Sequence, residues 1–321
     1  MTTYKEIKGT NIEIVSSDPS NTVEGQVWYN TTTNLVKGFG RSAVNAWSAA
    51  NNSNSSHRNA GSAGSQTAAI VFGGRPSPGP GAATELYNGT SWTEVNNLNQ
   101  ARHYFAGAGT QTAALGFGGY AGGTLYALTE TWNGTNWTEV NDMNSARGRV
   151  TGTGTTNTAA LAIGGYPAPN AALVETWNGT NWTEVNDLGT ARYSGSAAGT
   201  NTAALMAGGI NSPTSALTEL YNGTNWTEVG DLNTGRGYTG GCGTQTAAIV
   251  FGSNGTPKAL TEIWNGTTWT ETADMLTGRE GIAGAGTTAA ALGIGGESPQ
   301  VSTEEFLGAG QPTSVIFNVS N

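Results

Sequence analysis

The chain has one cysteine, four lysines and two histidines among its 321 residues, and no run of twenty apolar residues. Each shortage excludes a class of function. A lone Cys242 can form neither an internal disulfide nor a cysteine-based metal site. Its place in the repeat described below matches Ala63, Ala108, Thr153, Ala198 and Ala285, so a small buried strand residue is expected there rather than a nucleophile. The only two histidines, His57 and His103, stand on opposite sides of an arginine that recurs in the repeat and fall in adjacent units, so a two-histidine metal centre is not expected, nor is any other metal or cofactor. A formal net charge of −9 argues against a nucleic-acid partner, because phosphate neutralisation by Lys and Arg supplies most of that affinity. Met1-Thr2-Thr3-Tyr4-Lys5-Glu6 lacks the basic start and apolar stretch of a secretory signal, and no segment reads as a membrane span. A soluble protein made in the cytoplasm is the expectation.

What the chain has in abundance is glycine, 49 residues, together with Thr, Asn and 10 Trp. Such a composition favours strands and tight turns over helices. The unit Glu130-Thr131-Trp132-Asn133-Gly134-Thr135-Asn136-Trp137-Thr138-Glu139-Val140 recurs from Glu85, Glu175, Glu219 and Glu262. Its glycines at 89, 134, 179, 223 and 266 are spaced by 45, 45, 44 and 43 residues. That period, with an Asn-Gly turn between two β-prone runs, marks four-stranded propeller blades rather than a helical solenoid.

Within one unit the pattern predicts four strands, a to d, at about 102–110, 113–118, 127–133 and 136–140. Strands a, b and c occur six times; strand d occurs five times after its own c and once alone at Trp47. The sequence therefore predicts an all-β, six-bladed propeller over 45–310 whose orphan N-terminal d strand completes the last blade and closes the ring. Residues 1–44 lie outside the repeat. There Asp18-Pro19 marks a turn, and Gly25 to Phe39 reads as a hairpin around a polar Asn/Thr tip. Such a segment makes a poor core by itself. Val27, Trp28, Tyr29, Leu35 and Phe39 are its candidate docking residues, and the β-prone Val315-Ile316-Phe317 in the tail 311–321 could add to attachment.

The Gly pairs at 73–74, 118–119, 164–165, 208–209 and 295–296, each followed by an aromatic and then a Trp after a turn, resemble the kelch repeat. The resemblance covers about residues 45–310. It departs at Gly252-Ser253, and in the short interval between aromatic pairs such as Tyr87 and Trp92. The regular Tyr221-Asn222-Gly223-Thr224-Asn225-Trp226-Thr227-Glu228-Val229 form is similar to kelch-like propellers of bacteriophage structural proteins. The leader from Gly25 to Phe39 resembles hairpins of phage tail-fibre and virion proteins. What the resemblance implies is a virion location, other virion proteins of tail or capsid as partners, and a host-surface glycan or protein as a further one.

The repeats also rank the two faces of such a fold. The c–d turns (Asn88-Gly89-Thr90 and its four relatives) and the a–b turns hardly vary, so their face reads as structural. The b–c loops on the other face differ completely, and so do the residues after each member of the arginine series Arg58, Arg102, Arg147, Arg192, Arg236 and Arg279. Recognition usually sits on such variable loops of a rigid scaffold. The candidate ligand-binding residues are Arg75, His103, Tyr104, Tyr120, Tyr126, Arg149, Tyr166, Tyr193, Tyr238, Lys258 and Glu280. Aromatic, Arg and His side chains suit a sugar or a protein surface. The alternative is that these loops differ because packing leaves them free.

Catalysis finds little support. One Arg and one Glu per blade (Glu85, Glu130, Glu175, Glu219, Glu262 and Glu304) repeat, whereas a reaction centre breaks symmetry, so interblade pairs are expected. No Ser-His-Asp pattern, phosphate loop or calcium loop is present, and the Asn-Gly turn lacks the residue that sialidases place between Asp and Gly. The expectation is a non-enzymatic virion protein that docks through 1–44 and binds through the variable face, with a passive decoration protein as the alternative and a glycan-processing enzyme as the remote one.

Overall fold

The computed structural model describes residues 12–20, 25–41, 44–76, 79–167, 172–212, 214–309 and 312–317. Residues 1–11, 21–24, 42–43, 77–78, 168–171, 213, 310–311 and 318–321 lie outside the described residues. The chain divides into two compact units, Met1–Asn45 with Gly308–Asn321, and Ala46–Leu307.

The larger unit is all-β: four-stranded antiparallel sheets arranged as propeller blades, with no α-helix among the described residues. In the blade that carries the opening repeat the strands are Ala106–Thr110, Ala113–Phe117, Thr129–Trp132 and Trp137–Val140, paired in that order. The first strand starts at 106 rather than 102, because residues 102–105 make the connection that carries Arg102 and a left-handed Tyr104. Ala46–Ala50 pairs with Thr303–Leu307, setting Trp47 opposite Phe306. The d strand nearest the N-terminus thus sits in the sheet nearest the C-terminus.

The c–d turn is wider than a two-residue hairpin. Trp132 pairs with Trp137, leaving four residues between them. The Asn133 side-chain oxygen accepts the amides of Thr135 and Asn136, both at 2.9 Å, and Gly134 takes φ +92°, which a side chain would strain. Asparagine therefore builds this turn as much as glycine does.

Hydrophobic clusters form between neighbouring blades, most joining the a and b strands of one to the b, c and d strands of the next. Phe72, Trp137 and Leu98 share one; Leu115, Phe117 and Trp182 share the next. Small residues on the innermost strands let them approach closely: a Cβ on Gly107 would lie 2.4 Å from the Ser62 carbonyl oxygen. Most d-strand tryptophans also reach across. The indole N–H groups of Trp92, Trp137, Trp182, Trp269 and Trp47 donate to Thr303, Thr84, Thr129, Thr218 and Thr261 of the preceding blade at 2.9–3.2 Å.

The exception is Trp226. The position its indole should reach is Val174, and Trp226 Nε1 is buried without a partner.

The smaller unit is one sheet. Glu13–Val15 runs parallel to Val27–Asn30, which pairs antiparallel with Leu35–Arg41, which pairs with Pro312–Phe317. The expected hairpin is present, and the tail belongs to the same sheet as the leader. Asp18 ties the sheet together, accepting from the Trp28 indole (3.0 Å), Asn30 (2.8 Å) and Lys37 (2.7 Å). The hydrogen bond from Lys37, then those from Trp28 and Asn30, lower the Asp18 carboxyl to about 2.

The Trp226 gap yields a prediction. Val174→Thr keeps the β-branched shape and supplies the missing acceptor, so it should stabilise the larger unit by about 0.5–1.5 kcal/mol. In thermal denaturation that is a rise of about 2–4 °C for a unit of this size. An unchanged or lower midpoint would show that Trp226 does not need the bond.

Candidate functional site

The connection from each d strand to the next a strand is fixed by a buried carboxylate. Glu175 accepts the Asn144 backbone amide at 2.7 Å, the Asn144 side-chain amide at 2.9 Å and Arg147 Nη2 at 2.8 Å. Equivalent sets hold Arg102 on Glu130, Arg192 on Glu219, Arg236 on Glu262 and Arg279 on Glu304, with every arginine side chain fully buried. Burial drives the Arg147 and Arg236 guanidiniums down from their usual range, against the pull of Glu175 and Glu262. Removing one partner of such a pair costs about 3–5 kcal/mol, since it strands a buried charge. The repeated Arg and Glu residues are thus accounted for as structural pairs.

The sixth member of the series is His57, not Arg58. His57 is fully buried, with Nε2 3.1 Å from Glu85 and Nδ1 2.9 Å from the Gly73 carbonyl, so both ring nitrogens face acceptors. Matching arginine to arginine shifts this unit by one residue. Counting from the tryptophans removes the error, because Trp47 precedes His57 by the ten residues that separate Trp92 from Arg102.

Two residues beyond each of these groups the backbone turns left-handed. Asn59, Tyr104, Arg149, Ser194, Tyr238 and Gly281 have φ between 53° and 67°. Five of the six have side chains, for which this conformation is uncommon. Hydrogen bonds hold it: the amide of Tyr104 donates to Asn59, Arg149 to Tyr104, Ser194 to Arg149, Tyr238 to Ser194, Gly281 to Tyr238, and Asn59 back to Gly281, at 2.6–3.1 Å. This cycle of amides sets the side chains of Tyr104, Arg149 and Tyr238 together.

The b–c loops come to the same place by short pairings with the connections. His103 bridges to Tyr120, Gly148 to Tyr166 and Tyr193 to Ile210. After Tyr120 the chain makes a small hairpin, Tyr120–Ala121 with Thr124–Leu125, on the Gly122-Gly123 turn, both with positive φ. The result is a cleft of about 640 Å³ lined by Arg75, His103, Tyr104, Tyr120, Arg149 and Tyr166, with Pro80 and Leu125. That volume is in the range of small-molecule sites.

Arg149 is its hub. Its guanidinium lies 5.0–5.6 Å from the ring centroids of Tyr104, Tyr166, Tyr193 and Tyr238, a cation–π arrangement that fixes the side chain. His103 is buried at 5% exposure, and its Nδ1 has no hydrogen-bond partner. Burial, then Arg75, Arg149 and Arg58, lower it to about 4, so the imidazole is neutral at pH 7. Burial likewise raises the Tyr238 hydroxyl, with Arg149 opposing.

Eight expected residues therefore meet: Arg75, His103, Tyr104, Tyr120, Arg149 and Tyr166 line the cleft, and Tyr193 and Tyr238 back Arg149. Three do not. Tyr126 hands its backbone to Gly119 and Arg147 and does not line the cleft. Lys258 and Glu280 belong to a separate ion-pair group with Arg58 and Glu297: Arg58 lies 2.8 Å from Glu280 and 3.2 Å from Glu297, and Lys258 3.2 Å from Glu297. Arg58 joins this group because the mistaken arginine register had set it among the buried series, and Glu297 comes from a variable b–c loop. A second cavity of about 460 Å³ lies among the innermost strands and a–b turns, lined by Gly, Ala, Ser and Thr with Gln111 and Cys242. It offers no charged or aromatic side chain, and burial raises the Cys242 thiol.

In the smaller unit Trp28 is 1% exposed and donates to Asp18, so it cannot serve as a docking contact; Val27, Tyr29, Leu35 and Phe39 are half-buried. The exposed large apolar residues there are Ile12 and Ile14, at 48% and 73%, and Val44. Alternation along the short strand Glu13–Val15 was the signal that could have found Ile12 and Ile14.

No protein-family model and no curated protein sequence matches the chain. Among solved structures it is similar to that of YjhT, with a TM-score of 0.67 over 84% of this chain and all of that one, at 11% identity. That likeness shows the fold alone.

The neutral His103 is testable. As pH falls below 6.5 the unfolded chain takes a proton that the folded imidazole refuses until about 4, so stability attributable to this residue is lost progressively from 6.5 down to about 4. An NMR titration of the folded chain should show His103 neutral down to about pH 4. Protonation near its ordinary value would mean that the site is open to water.

Proposed function

We propose that the protein is a non-enzymatic binding propeller of a bacteriophage particle, whose larger unit presents a glycan-binding cleft and whose smaller unit attaches it to other virion proteins. The observation that carries the binding reading is the cleft itself. Tyr120 and Tyr166 offer ring faces for sugar rings, Arg75 and Arg149 offer donors, and the His103 imidazole lines the same cleft. Rigid aromatics give contact at low entropic cost. No pair of carboxylates and no nucleophile with its base faces the cleft among the described residues, and this supports binding without reaction.

We infer also that the larger unit is a six-bladed ring. In support, Ala46–Ala50 completes the sheet of Thr303–Leu307, a hydrophobic cluster joins Val71 and Trp92 to Leu292 and Ile294, and the amide cycle passes through six connections and returns to the first. Joining the first and last strands leaves no open edge for aggregation. The attachment reading is supported by the resemblance of the leader and by the separate sheet that both chain ends build, with Ile14 exposed at its edge. A virion location follows from the same reading.

Glycan arrays and host-cell binding should respond to Tyr120→Ala and Tyr166→Ala with a loss of about tenfold or more. Binding that is absent in the wild type, or unchanged in both variants, would favour a passive decoration protein. Deleting the smaller unit should abolish incorporation into particles while leaving the larger unit folded by circular dichroism; normal incorporation would contradict its role in attachment.

A further inference from the structure

We infer that the cleft recognises an oxyanion carried by its ligand, a carboxylate, phosphate or sulfate, through Arg149 and Arg75. This rests on the reading of the cleft as a glycan site and narrows the class of glycan. Three observations lead to it.

The first is charge. The protein carries a formal net charge of −9, yet no Asp or Glu lines the cleft, while two arginines do. Glu280 and Glu297, the carboxylates of the neighbouring sector, are engaged by Arg58 and Lys258. Among the described residues neither Arg75 nor Arg149 has a carboxylate partner.

The second is preorganisation. Arg149 is held by four tyrosine rings and by a left-handed backbone whose amide and carbonyl are both bonded in the cycle. Ring faces hold a guanidinium without using its N–H groups. The planar fork that remains matches the two oxygens of an oxyanion, and its rotamer freedom is already spent. An arginine meant only to pack would be expected to donate to carbonyls, as Arg147 does to Gly164 and Leu173.

The third is His103. Its ring lines the cleft beside Arg75 and Arg149, neutral at pH 7 and without a carboxylate partner among the described residues, so it brings no negative charge against an oxyanion. The sector thus combines a charged clamp, a neutral imidazole and the Tyr120 and Tyr166 rings, which suits an acidic sugar unit better than a neutral one.

The test uses the full chain with ¹⁵N-labelled arginine, titrated with glucose, glucuronate, glucose 6-phosphate and inorganic phosphate while the Nε–Hε signals of Arg75 and Arg149 are followed. Glucuronate or glucose 6-phosphate should shift both signals and bind about tenfold or more tightly than glucose. The carboxylate and phosphate arms identify which oxyanion is preferred. Arg75→Gln, on an exposed side chain, should remove most of that preference without changing thermal stability, and Arg149→Lys should weaken it while retaining the charge. Glucose binding as tightly as the acidic sugars would overturn the oxyanion inference and leave the glycan reading standing. Inorganic phosphate binding as tightly as glucose 6-phosphate would keep the oxyanion site and count against the glycan. Unmoved arginine signals with every anionic probe would overturn the inference outright, with the array deciding the glycan reading separately.

Discussion

A carboxylate at 0–3% exposure has to be met by donors, and the larger unit is arranged to meet that need at Glu85, Glu130, Glu175, Glu219, Glu262 and Glu304. Each takes backbone amides from the connection that enters its blade and a side-chain nitrogen from the same connection, an arginine in five cases and His57 in the sixth. That demand fixes where the chain turns inward. Two residues later the left-handed position follows, then the inner strand, whose small residues allow close approach to its neighbours. Geometry around the amide cycle is therefore set by the buried carboxylates rather than by the loops beside it.

With the scaffold so fixed, exceptions to the repeat become the source of chemistry. At the left-handed position the series reads Asn59, Tyr104, Arg149, Ser194, Tyr238 and Gly281. Nothing in the hydrogen-bond cycle requires Tyr or Arg there, and five side chains tolerate a conformation that glycine would take more readily. The aromatic and cationic members gather on one side with Tyr120 and Tyr166, while Arg58, Lys258, Glu280 and Glu297 neutralise one another on another. The face is thus divided into a cleft with unpaired positive charge and a balanced sector.

Much of this was legible in the sequence. Period and pattern predicted four-stranded blades, and variation between repeats pointed to the face that holds the cleft. Eight of the eleven residues expected there do meet, because a residue's place in the repeat also states its place in the blade. Where the reading failed, a physical term had been left out. Arg58 was matched by residue type, although the buried role needs only donors facing Glu85, which His57 supplies. Trp28 was expected among the docking residues, but Asp18 gives its indole a partner that sequence distance conceals. Tyr126 and Lys258 lie in variable loops, yet loop membership does not say which way a side chain faces. The cage around Arg149 joins four tyrosines from separate connections and loops, and no local pattern announces it.

On the proposed reading, a repeated scaffold pinned by buried carboxylates presents one working surface, the Arg149 cleft. Hydrogen exchange of the full chain, with and without purified host-surface polysaccharide, tests it directly. Protection should appear at 103–104, 120–126, 148–149 and 166, with the c–d turns around Gly89, Gly134 and Gly179 unchanged. Protection at those turns, with none at the cleft, would contradict it.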